Sequence, residues 1–308
     1  MITVAQVHKR FGPVVALDGV SLEIGAGERV AFVGSNGSGK TTLLRALLGL
    51  VRFDGKITVA GSDVSKEPEV ALRSVAYIPQ IAPPIEAPVG EVVRAHSALR
   101  GKPEDATWER AKRLGLDLAP SARKRFRDLS GGMKQKLLAA MALATEAPIL
   151  VCDEPTANLD GEARVAFFEQ LSERPKGGVV VLCSHRIEEV RQLVDRVVEL
   201  GDGKVVRDAP LAELMRELRA FRVEVALREG AAKTEETLRA RGFASAGTAR
   251  LAIQVAQHEK LDLVARLLQE HGADLADVSV VPVDDLGIAN IEAKDAKDSQ
   301  PRLKVVKK

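Results

Sequence analysis

The chain has 308 residues, 45% of them apolar and 29% charged, enough for two domains with a sizeable core. Lys and Arg number 45 against 43 Asp and Glu, and the resulting net charge of +2 is too near neutral to mark a nucleic-acid binder. No run approaches about 18 uninterrupted apolar residues, so no membrane-spanning helix is expected.

The N-terminus, Met1–Arg10, alternates like a strand and lacks the charged and apolar blocks of a signal peptide. Apolar runs at Ile2–Val7, Arg29–Val33, Ile57–Ala60, Val75–Ile78, Ile149–Cys152 and Val179–Cys183 read as strands. Several are unbroken Val/Ile/Leu runs, the pattern of parallel strands covered on both faces. Helical patterns follow Gly39, Gly131, Asp160 and His185, and this alternation predicts an α/β domain with a largely parallel sheet. Val197–Leu200, Gly201-Asp-Gly203 and Lys204–Arg207 read as a hairpin closing that sheet. Between Gln80 and Ser130 the pattern changes: four prolines within residues 79–88 give way to helical segments near Gly90–Leu99 and Ala106–Leu114. A helical insertion at about 81–130 into a domain of residues 1–218 is the expectation.

A second unit, 219–283, shows a strand at Phe221–Leu227, a helix at Ala232–Arg241 and strands at Phe243–Ala246 and Leu251–Ala256. A stripe of Leu261, Val264, Leu267 and Leu268 then predicts a helix before a strand at Val278–Val283. The order β-α-β-β-α-β suits a small α+β, ferredoxin-like domain. Residues 284–308 are charged, end in a Lys-rich segment, and are expected to be disordered. The only cysteines, Cys152 and Cys183, lie in apolar runs without metal-ligand spacing and read as core residues of a cytoplasmic protein.

Three segments carry chemistry. Gly34-Ser35-Asn36-Gly37-Ser38-Gly39-Lys40-Thr41 fits G-x-x-x-x-G-K-[ST] between a strand and a helix that includes Thr42. Glycines let successive N–H groups converge on phosphate oxygens, and the helix adds the positive end of its dipole. Lys40 suits the β- and γ-phosphates of ATP, and the Thr41 hydroxyl suits Mg²⁺. A buried strand ending in Asp153-Glu154 supplies an acid to position Mg²⁺ through water, Asp153, and one to activate the attacking water, Glu154. Leu129-Ser130-Gly131-Gly132-Met133 opens a helix and is either a second anion-binding terminus or an ordinary cap.

Along the chain the phosphate loop is followed by Gln80 after a strand, Leu129-Ser130-Gly131-Gly132, Asp153-Glu154, Pro155–Asp160, and Ser184-His185 after an apolar strand, and in this order the sequence resembles the nucleotide-binding subunit of ABC transporters over residues 2–207. The resemblance implies an ABC-type P-loop NTPase fold and a head-to-tail dimer of two copies. Each ATP would then lie between the phosphate loop of one copy and Ser130, Gly131 and Gly132 of the other. It further implies that Gln80 contacts Mg²⁺ and water, that His185 holds the γ-phosphate and the water, that Asp160 links the two sites, and that Phe11 stacks on adenine. One departure stands at Met133, where the family usually has Gln. Membrane permease subunits are the implied partners, placing the protein on the cytoplasmic face of the inner membrane, with contact near Ile81–Leu99. The alternative is a soluble ABC ATPase of cofactor or complex assembly. The basic run Arg123–Arg127 is a solvated connector or a contact with a partner or lipid. The C-terminal unit, Met133 and Leu182-Cys-Ser-His185 are similar to exporter-type ATPases, among them the copper-associated ATPases of nitrous oxide reductase maturation.

Overall fold

The computed structural model describes residues 1–117, 122–175, 177–184, 191–218, 220–247, 250–256 and 259–282. His185, the start of the helix expected after it and the expected disordered tail at 284–308 lie outside the described residues. The chain divides into two compact units, Met1–Leu211 and Ala212–Lys308.

The first unit holds two sheets. One is six-stranded, built from β3 (Arg29–Val33), β6 (Val75–Ile78), β7 (Ile149–Asp153), β8 (Val179–Cys183), β9 (Arg196–Gly201) and β10 (Lys204–Pro210), in the order β10-β9-β3-β8-β7-β6. All pairings but β9–β10 are parallel. Every residue of β7 and β8 is buried, as strands covered on both faces require. The β9–β10 hairpin closes through Asp202 and Gly203, both with positive φ, the backbone of a two-residue type I′ turn.

The second sheet corrects the expectation of one largely parallel sheet. Here β1 (Ile2–Phe11), β2 (Val14–Ile24), β4 (Asp54–Val59) and β5 (Ser62–Asp63) pair antiparallel in the order β2-β1-β4-β5. The physical reason is visible in β1, where buried Ile2, Val4 and Val7 sit among exposed polar residues. Only one face is covered, which suits antiparallel pairing. Among the elements that escaped the sequence patterns are β2, whose alternation is interrupted by Asp18-Gly19, and the six-residue helix α2 (Pro68–Arg73), which opens on a proline. One core joins both sheets to α1 (Lys40–Leu47), with Phe32, Leu43, Leu44, Ile57 and Val181 fully buried.

Between β6 and β7 run α3 (Val89–Arg100), α4 (Glu104–Arg113) and α5 (Gly131–Ala144). The basic run before α5 is tied down: Phe126 N–H donates to the Ala87 carbonyl, and Arg127 pairs with Glu86 at 2.6 Å. That favours the connector over an independent lipid contact. After β7 comes α6 (Gly161–Ser172) and, at the end of the unit, α7 (Leu211–Leu218) begins.

The second unit has β11 (Ala220–Leu227), α8 (Ala232–Ala240), β12 (Ala244–Ser245), β13 (Arg250–Ala256), α9 (Lys260–His271) and β14 (Leu275–Pro282). Its sheet is antiparallel throughout, in the order β12-β13-β11-β14, over a small core of Val223, Val225, Leu238, Phe243, Leu251, Leu267 and Leu275.

Phe32 is fully buried in β3. Phe32→Ala is expected to destabilise the first unit by about 3–5 kcal/mol, read from denaturant unfolding; a loss below about 1 kcal/mol would contradict this account of the core.

Candidate functional site

Because β3, β6, β7 and β8 are parallel neighbours, the segments that follow all four emerge at one edge of the sheet. Ligands of open α/β sheets bind at this carboxyl edge. Gly34–Gly39 follows β3, Gln80 follows β6, Glu154 follows β7 and Ser184 follows β8.

The glycine loop is shaped by sterics. Gly34, Gly37 and Gly39 all have positive φ, at 140°, 83° and 104°. A Cβ at Gly34 would overlap the Leu200 carbonyl, and one at Gly39 would lie 2.5 Å from the Ala16 carbonyl. Gly37 instead faces open space, so the first and last glycines serve close packing while the middle one leaves the cradle clear. Lys40, the first residue of α1, folds back so that its ammonium donates to the carbonyls of Gly34 at 2.7 Å and Ser35 at 2.8 Å. The loop therefore curls around a fixed positive charge at the N-terminus of a helix. Ser35 accepts a backbone bond from Ser38, whose hydroxyl is buried without a hydrogen-bond partner.

Beside the loop lies a cleft of about 200 Å³ lined by Asn36, Gly37, Gly39, Lys40, Thr41, Thr42, Gln80, Asp153, Glu154 and Cys183. Asp153 is only 3% exposed, and its Oδ1 has no hydrogen-bond partner. Burial raises its pKa first, and the neighbouring Glu154 carboxylate adds to that. An unpartnered buried carboxylate oxygen in a cleft that Thr41 also lines is the kind of oxygen donor that a hard divalent cation such as Mg²⁺ takes. Glu154 has φ 48°, an uncommon backbone for a residue with a side chain, and its N–H donates to the Cys183 carbonyl at 2.8 Å. The left-handed turn ends β7 and sets the next carboxylate at the cleft.

Not every sequence-predicted residue converges here. Ser130, Gly131 and Gly132 open α5, where the Ser130 hydroxyl accepts from the Met133 N–H at 3.2 Å as an N-cap. They do not line the cleft. Asp160 caps α6 through the Ala163 N–H at 2.8 Å and pairs with Lys136 at 2.8 Å, which together lower its pKa, the lysine bond foremost. Phe11 stands 47% exposed at the end of β1, with the Lys9 ammonium 4.8 Å from its ring centre, and is not part of the cleft lining either. His185 lies outside the described residues.

The sequence patterns missed Cys183 as a site residue. It is buried, as a core cysteine should be, yet it lines the cleft and hydrogen-bonds Asp153, its partner in the β7–β8 register. Burial holds its thiol protonated. Its place at the end of a strand parallel to the one bearing Asp153 was the available signal.

Comparison with known proteins places this geometry in a family. The model of the ABC transporter family matches residues 17–157. The Daunorubicin resistance ATP-binding protein DrrA3 of Streptomyces coeruleorubidus is 33% identical over 291 residues, covering 91% of each chain. The Nod factor export ATP-binding protein I of Rhizobium sp. (strain N33) is 33% identical over 224 residues, 70% of this chain and 73% of that one. Among solved structures, a dimeric ATP-binding cassette in a post-hydrolysis state with ADP and Pi superposes with a TM-score of 0.60 at 26% identity, over 68% of this chain and 99% of that one. The chain belongs to the ATP-binding subunits of ABC transporters and is an ATPase. Among the described residues no helix is long and apolar enough to cross a membrane.

The raised pKa of Asp153 fixes the sign of one experiment. Its folded-state pKa lies above that of the unfolded chain, so stability falls as pH rises through that interval and the ionised form opposes folding at neutral pH. Asp153→Asn is expected to raise the Tm at pH 7 while lowering Mg²⁺-dependent turnover about 10–100-fold. A lower Tm at pH 7 would contradict the assignment of Asp153 as a buried, underpartnered acid.

Proposed function

We propose that the cleft is half of an ATP site and that Ser130, Gly131 and Gly132 of a second copy complete it. The observation that carries this reading is a separation. Phosphate loop, Asp153 and Glu154 line one cleft, whereas the chain's own signature residues do not reach it. In the half-site, the N–H groups of Gly34–Lys40 and the Lys40 ammonium bind the β- and γ-phosphates, and Thr42 extends the loop into α1. Thr41, Gln80 and Asp153 hold Mg²⁺, which when bound neutralises charge on the phosphate oxygens. Glu154 accepts a proton from the water that attacks the γ-phosphorus, with His185 orienting both. Phe11 stacks on the adenine, its exposure leaving a face available.

Two copies thus close head to tail around two ATP molecules, and Asp160 lies between the sites. Dimer closure on ATP and reopening after hydrolysis drive membrane permease subunits. We place the protein on the cytoplasmic face of the inner membrane, with Ile81 (80% exposed) and Leu99 (86% exposed) in the segment facing the permease. An exporter is supported by the match to a resistance protein along 91% of its length, which includes the C-terminal unit. That unit we read as ferredoxin-like from its strand order. The similarity to the copper-associated ATPases rests on the C-terminal unit, Met133 and Leu182-Cys-Ser-His185, and it assigns no substrate.

Glu154→Gln is expected to bind Mg²⁺-ATP, lose turnover about 100-fold or more, and run as a dimer in size-exclusion chromatography only with ATP. Turnover equal to wild type would sink the role of Glu154; a monomer at saturating ATP would sink the composite site.

A further inference from the structure

Gln135 sits one turn into α5, only 1% exposed, where a helix surface would otherwise carry an apolar residue. Its Nε2 donates to the Pro155 carbonyl at 3.0 Å and to the Pro79 carbonyl at 3.4 Å. Pro79 immediately precedes Gln80, and Pro155 immediately follows Glu154. Both carbonyls lie past the ends of β6 and β7, beyond the ladder that would otherwise pair them. One side-chain amide spends both of its hydrogens on them.

Two further contacts join the same helix to the segment after Glu154. Lys136, the next residue, holds Asp160 at 2.8 Å. Gly132, one turn back, packs so closely on residue 158 that a Cβ there would sit 3.0 Å from the Asn158 carbonyl.

We propose that Gln135 is a positioning residue of the ATPase reaction, fixing Gln80 and Glu154 relative to the helix that Ser130 caps. The proposal rests on the roles given to those residues above. Displacing either proline segment from α5 would leave a buried donor or acceptor unpaired, a cost that low-dielectric surroundings enlarge. The three segments therefore shift together. A displacement of α5, when Ser130 engages the nucleotide of the partner, is carried to the water-activating carboxylate of its own chain. Misplacing such a group by about 1 Å is enough to cost about 100-fold in rate.

Gln135→Met tests this in the full-length protein, since it keeps length and approximate volume while removing both donors. Leu137→Val serves as the control, because Leu137 is fully buried in the same helix but touches neither carbonyl through a polar group. Gln135→Met is expected to lower kcat about 10-fold or more with KM for ATP within about twofold, and to leave ATP affinity unchanged when combined with Glu154→Gln. Leu137→Val is expected to keep its kcat at temperatures well below its Tm. A near-wild-type kcat in Gln135→Met beside an inactive Glu154→Gln would overturn this proposal alone. So would a loss of kcat that Leu137→Val matches at equal loss of Tm. Wild-type turnover in Glu154→Gln would instead remove the role of Glu154 on which the proposal rests.

Discussion

A triphosphate carries more negative charge than a few surface lysines can hold in one geometry, so its binding depends on backbone N–H groups that converge on a point. In this chain that convergence rests on the positive φ of Gly34, Gly37 and Gly39. The loop can take that shape because β3 ends where the Leu200 and Ala16 carbonyls pack directly against it. Lys40 is then held over the loop by the Gly34 and Ser35 carbonyls, so the charge is oriented by the same backbone. The remaining acids are useful only in register with it. Parallel pairing of β3, β8, β7 and β6 supplies that register, bringing Asp153, Glu154 and Gln80 to the edge from which the loop emerges.

The acids at this edge oppose the stability of the fold that presents them. Asp153 is buried with one oxygen unpartnered, and Glu154 adopts a backbone that side chains disfavour. Such local costs are tolerated where neighbours hold the chain in place, and here β7 and β8 are buried along their whole length. α5 has the complementary arrangement. Its capped N-terminus does not line the chain's own cleft, while its buried flank is hydrogen-bonded to the segments at the cleft's rim. In the proposed dimer one helix would thus belong to two sites at once.

Much of this was legible in the sequence because its signals are local. The phosphate loop, the unbroken runs at 149–152 and 179–183, and Asp202-Gly203 each fix conformation through near neighbours. The split into two sheets was less legible, since whether β1 is covered on one face or two depends on what packs over it. β2 was hidden because Asp18-Gly19 breaks an alternation that resumes at Val20, Leu22 and Ile24. Cys183 and Gln135 became visible as site residues only through register and packing: their partners are Asp153 on an adjacent strand, and two carbonyls 56 and 20 residues away in the chain.

The central claim is that each ATP is held by two copies, and complementation between two inactive variants measures it most directly. One variant carries Lys40→Ala and the other Ser130→Arg, each inactivating one side of every site in its own homodimer. Mixed in equal amounts with Mg²⁺-ATP, they form a heterodimer in which one site pairs an intact phosphate loop with an intact signature. The account predicts that the mixture hydrolyses ATP well above the sum of the two variants alone. A mixture no more active than that sum, with heterodimer formation shown by mass, would contradict it.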